Sequence, residues 1–110
     1  MKKLIIYILL FAVSFSYSQK KELRNANKFF VSGEYASAID LLDSSRETFD
    51  SSDNKIKSQA MLLYGKIHTA MQDFDLAIQA FDMSRNLGIS VQLLDPEINK
   101  LETAIITSAV

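Results

Sequence analysis

The chain carries one imidazole, His68, and no cysteine at all. A hydrolytic nucleophile needs a base within reach and a third group to orient that base. Serines are plentiful, but no spacing places a second functional group beside His68. Asp73 and Asp75 flank Phe74, while Glu22, Glu34 and Asp40 are scattered. Carboxylates such as Glu34 and Asp73 suit helix starts, where the dipole favours negative charge, without any acid/base role. The run Asp50-Ser51-Ser52-Asp53-Asn54 has calcium-like composition. It lacks the glycine and the distant bidentate glutamate of an EF-hand loop and reads as a solvated linker. The three glycines are isolated, so no phosphate-cradling loop exists. Without thiolates or clustered imidazoles a structural metal site lacks ligands. No catalytic residue, cofactor or metal is therefore expected. A small hydrolase or sugar-binding protein would need a converging polar pocket, which the spacing does not supply.

The elements that would have to position any such residues come from one domain's worth of chain. The protein has 110 residues, 48% hydrophobic and 23% charged, an ordinary globular composition. Twelve basic and thirteen acidic residues give a formal net charge of −1, which creates no basic field for nucleic acid.

The first eighteen residues read as an address. Lys2 and Lys3 are followed by Leu4–Phe15, LIIYILLFAVSF, and then by Ser16-Tyr17-Ser18 ahead of Gln19. That is the charged, apolar, small-residue order of a secretory signal peptide, cut between Ser18 and Gln19. A membrane span needs about 20 apolar residues, and this run is shorter. The expectation is an exported protein, periplasmic or extracellular, with no stable membrane span after cleavage. It is not a lipoprotein, because no cysteine is present to carry the lipid. The Lys-Lys start and the Gln after the cut resemble envelope proteins of diderm bacteria.

Beyond Gln19 the apolar spacing is helical and strand signals are absent. The stripes are Leu23, Ala26, Phe29 and Phe30; Tyr35, Ala38, Ile39 and Leu42; Ile56, Ala60, Leu63, Tyr64, Ile67 and Met71; and Phe74, Ala77, Ile78 and Phe81. Asp95 and Pro96 suit the cap and first position of a fifth helix, with Leu94, Ile98, Leu101 and Ile105 as its stripe. The second pair of stripes repeats the first at an offset of 39 residues. Ala38/Ala77, Ile39/Ile78, Asp43/Asp82, Ser45/Ser84 and Arg46/Arg85 are identical, and Ala26 answers Gly65 as Phe29 answers His68. Asp43/Arg46 and Asp82/Arg85, three apart, read as modest surface ion pairs. His68, standing where Phe29 stands, reads as a packing residue.

This pattern resembles the tetratricopeptide repeat (TPR), whose frame is small-x2-large followed by Ala-x3-aromatic. Gly65-x2-His68 with Ala77-x3-Phe81 fits it, as does Ala26-x2-Phe29 with Ala38-x3-Leu42. The early Trp is replaced by Glu22 and Met61, Gln72 stands at the turn's usual Gly, and the inter-repeat Pro is missing. The offset of 39 exceeds the family's usual 34, which assigns about five extra residues to the stretch from Thr48 to Asn54. The resemblance implies an all-α fold: two antiparallel α-hairpins of TPR type stacked as a short solenoid plus a C-terminal capping helix. The boundaries are a signal peptide over 1–18, a helical domain over 19–110, repeat 1 over about 19–49, repeat 2 over about 55–88, and the cap over about 95–108.

In TPR hairpins the first helices line a groove that takes peptides. By resemblance that groove comprises Leu23, Asn27, Phe30, Val31, Gln59, Leu62, Lys66 and Thr69. Phe30 adjoins Phe29, so one of the two should leave the hairpin seam, making Phe30 an anchor candidate. The carboxylate-gripping arrangement of some family members is not expected, since only Asn27 matches and Leu23 and Leu63 occupy two other required positions. The implied function is a non-enzymatic interaction module or scaffold whose partner is another envelope protein or peptide. Ile105, Ile106 and Val110 would also permit a homo-oligomer through the last helix. The alternative is a structural or accessory subunit, or a truncated repeat array, without a groove ligand.

Overall fold

The computed structural model describes residues 20–50 and 52–109. The expected signal peptide, its cleavage point and Val110 lie outside the described residues. Among those described there are six helices and no strand. They are α1 over 20–31, α2 Tyr35–Ser44, α3 Arg46–Asp50, α4 Asn54–Ala70, α5 Phe74–Asn86 and α6 Val91–Ala109. The chain is all-α.

The 39-residue echo extends into backbone geometry. After α1, Gly33 takes φ +81°; after α4, Gln72 takes φ +64°. Gly33 N–H donates to Phe30 O at 3.0 Å and Glu34 N–H to Phe29 O at 2.8 Å. Gln72 N–H donates to Thr69 O at 3.1 Å and Asp73 N–H to His68 O at 2.9 Å. Both turns therefore close on the last carbonyls of the preceding helix, as a left-handed C-terminal cap does. Glu34 (φ −88°, ψ 69°) and Asp73 (φ −87°, ψ 70°) then start α2 and α5 from nearly the same conformation. Both carboxylates stand at the helix starts, but neither caps its helix with a side-chain hydrogen bond.

The small residues of the frame sit where helices touch. Ala26, Ala38 and Ala77 are fully buried. Gly65 lies directly beneath the Phe81 ring, so close that a methyl group there would overlap it. Leu42 is the fully buried counterpart of Phe81. The larger core cluster joins α1 to α4 through Ala26, Ala38, Leu42, Phe49, Ala60, Leu63 and Ile67, with Ala80 reaching in from α5. A second cluster joins α5 to α6 through Ala77, Phe81, Leu94 and Leu101, with Leu62 of α4 packed on it. The α4/α5 pair is further tied by buried Ser84, whose hydroxyl donates to Ser58 O at 2.7 Å.

The stretch after α2 is not a slack linker. The chain turns at buried Ser45, runs on as α3, and places Phe49 in the core at 2% exposure. Asp53 is the N-cap of α4, and its side chain accepts the Ile56 N–H at 3.0 Å. The final helix also differs from expectation. It begins at Val91, a full turn before Asp95, so Asp95 and Pro96 lie within it. Its first amides close on Ser90 O, with Leu93 N–H at 3.0 Å and Leu94 N–H at 3.1 Å. Burial of Leu94 explains the early start, because the helix must already be wound where that side chain enters the second cluster.

Candidate binding surfaces

The expected groove residues do not share one site: Leu23, Asn27 and Gln59 line one groove and Thr69 another, while Phe30, Val31, Leu62 and Lys66 line neither. Lys20, Leu23, Arg24 and Asn27 of α1 face Lys55, Ile56 and Gln59 of α4 across a groove of about 600 Å3. Leu23, Asn27 and Gln59 are thus brought together as expected. Three cations, Lys20, Arg24 and Lys55, also line this groove against one anion, Asp53, whose carboxylate is already engaged by the Ile56 amide. These cations are not among the positions that the repeat frame assigns to a groove. Their signal was the helical spacing 20, 24, 27 on α1 matched by 55, 59 on α4.

Toward the C-terminal ends of the same two helices, Lys66 Nζ sits 5.2 Å from the centre of the Phe30 ring, within cation–π range. The ring also meets Tyr35, with centroids 5.9 Å apart. Phe30 and Phe29 are both half-buried against the first core cluster. Neither leaves the hairpin seam as a free anchor, because helix α4 supplies a cover for the second ring. Val31 is the exposed apolar residue here, at 75%, and it lines neither groove. Leu62 belongs to the second core cluster, packed under α6. Thr69 lines a different groove of about 640 Å3, formed with Asn99, Lys100, Thr103 and Thr107 of α6. Its hydroxyl is turned inward to Gly65 O at 2.7 Å.

His68 is half-buried and stacks on Tyr64, with centroids 6.2 Å apart and planes within 9°. Tyr64 donates its phenol proton to Asp43 Oδ1 at 2.6 Å. His68 Nδ1 is buried without a hydrogen-bond partner, and Asp73 Oδ2 at 3.6 Å lies beyond hydrogen-bond reach. An acid/base relay needs the base bonded to its orienting group; here the carboxylate that is hydrogen-bonded faces Tyr64 instead. Among the described residues no group of three or more His, Asp or Glu could hold a metal ion. Asp82 and Arg85 form the expected surface ion pair at 3.1 Å. Asp43, taken by Tyr64, makes no such pair with Arg46 among the described residues.

Compared with protein families, curated proteins and solved structures, the chain matches none. Its chemistry must be read from these surfaces: a cation-lined groove between α1 and α4, a hydroxyl- and amide-lined groove between α4 and α6, and a covered aromatic between them. None brings a nucleophile and a base together.

Proposed function

We propose that this chain is an exported, non-enzymatic TPR-like interaction module of the bacterial cell envelope, two TPR-type hairpins stacked as a short solenoid and closed by α6. The observation that carries the reading is the recurrence, 39 residues apart, of one hairpin geometry with a small residue at each helix crossing. A fold that repeats a hairpin and places no reactive pair is suited to offering surface. The partner is another envelope protein or a peptide of it, held along α1 and α4. The excess of Lys20, Arg24 and Lys55 over Asp53 in that groove favours a partner segment with carboxylates, because complementary charge speeds encounter and fixes register.

Crosslinking in the native envelope, followed by mass spectrometry, is the direct test. The wild-type chain should capture a defined protein, and Arg24→Glu combined with Lys55→Glu, both lining the groove, should lose it while helical circular dichroism persists. An intact mass starting at Met1 would refute cleavage after Ser18. A second reading, a structural subunit with no groove ligand, is favoured by the Lys66–Phe30 contact, which satisfies that aromatic internally. Capture unchanged by the double substitution would establish it over the first.

A further inference from the structure

No exposed position of α1 is acidic. Lys20, Lys21, Arg24, Asn27, Lys28 and Val31 are its exposed residues, and at 3.6 residues per turn they share an arc of about a third of the helix. None of the four cations is ion-paired among the described residues. The one acid of α1, Glu22, is turned inward, and its Oε2 is buried. Lys20, Arg24 and Asn27 border the groove with α4, whereas Lys21 and Lys28 lie outside it. The positive face therefore continues past the groove onto the open flank of the helix, where Val31 is 75% exposed.

Charge is uneven along the chain as well. Residues 67–109 hold six acidic and two basic side chains. They include α5 and α6, which pack in the second core cluster, apart from α1. A negative surface that attracts α1 repels that far side, which fixes the side of the molecule that meets it. What lies ahead of α1 suggests the surface. In the expected export segment the apolar run ends at Phe15, and only residues 16–19 separate it from Lys20. Four extended residues reach about 14 Å. A run held in a bilayer would thus keep α1 close to the headgroups, whose field acts over a Debye length of about 8 Å.

We propose that the exposed face of α1 docks on an anionic lipid bilayer, with Lys20, Lys21, Arg24 and Lys28 against headgroup phosphates. While the apolar run remains attached, the chain has an apolar segment and a basic patch, the combination that firm anchoring takes. Once the chain is cut after Ser18, the basic face alone remains, and its hold is reversible and weakened by salt. Docking needs only α1, whether or not the α1/α4 groove takes a peptide.

The test is co-sedimentation of the chain from Gln19 onward with vesicles of equal parts phosphatidylglycerol and phosphatidylcholine, against vesicles of phosphatidylcholine alone. Binding is expected to the first and not to the second. It should be lost in about 1 M salt, where the Debye length falls to about 3 Å. Lys21→Glu with Lys28→Glu should weaken it at least about tenfold. Arg85→Glu with Lys100→Glu changes the net charge equally on the far side and should leave it unchanged. All four positions are exposed, and circular dichroism reports that each variant is folded. No binding to the anionic vesicles at low salt, equal binding to both vesicles, or equal effects of the two double variants overturns the proposal. Vesicle binding that soluble polyglutamate abolishes at equal charge overturns it in favour of an acidic polypeptide. The vesicles hold no protein, and Lys21 and Lys28 lie outside the α1/α4 groove, so this test and the envelope crosslinking fail separately.

Discussion

Position 65 has no room for a side chain. The Phe81 ring occupies the space that a Cβ would need, and the ring is itself 2% exposed with core on its other side. Gly65→Ala should therefore destabilise by about 1–3 kcal/mol, the usual cost of overpacking. Denaturant unfolding measures it, and the double variant Gly65→Ala with Phe81→Leu should recover part of the loss. The hairpin turns offer a complementary test. Gln72 holds φ +64°, a region that costs a residue with a Cβ roughly 1–2 kcal/mol, and its counterpart Gly33 avoids that cost at φ +81°. Gln72→Gly should raise stability by up to about 1 kcal/mol, since relief of strain is partly offset by the freer unfolded chain. Gly33→Ala should lower it by about 1 kcal/mol or more through backbone strain alone, because nothing lies within 4 Å of the added methyl.

Helices were legible wherever apolar spacing and small residues agreed. Ala26, Ala38, Gly65 and Ala77 lie on the buried faces the repeat frame assigns to them. What the sequence obscured were the ends and the seams. Asp95-Pro96 is a persuasive helix start by local chemistry, yet burial of Leu94 draws the helix back to Val91. Tertiary packing outweighs a local cap signal worth only about 1 kcal/mol. Pro96 then sits in the sixth position, where its missing N–H leaves Gln92 O without an intrahelical bond. Pro96→Ala should raise helicity and stabilise α6 by about 1–3 kcal/mol, read by circular dichroism and thermal midpoint. The groove was legible in part for a similar reason. Residue spacing assigns a helix face, which brought Leu23, Asn27 and Gln59 together. It does not reveal that a neighbouring helix takes up half of that face, which is what α6 does to Leu62 and Lys66 does to Phe30.

For the molecule as a whole, α6 supplies half of the second core cluster, Leu94 and Leu101 beside Ala77 and Phe81 of α5. Leu94 and Leu101 are 2% and 4% exposed, and burying each is worth about 1.5–3 kcal/mol. A chain ending at Ser90 should lose about 3–6 kcal/mol by this reckoning, comparable with the whole stability of a small domain. It should melt at far lower temperature, with Phe81 and Leu62 open to hydrophobic dyes.

Phe49 has a consequence of its own. Judged by length, about five residues of the stretch from Thr48 to Asn54 are surplus that an engineer would trim to restore a standard 34-residue period. Their one aromatic is instead a keystone wedged between the first hairpin and the second. Excising them would not shorten a tether; it would hollow out the join, and Phe49→Ala alone should weaken the fold by about 3–5 kcal/mol. The irregular period is thus a fitted spacer, and the pitch between the two hairpins depends on its thickness.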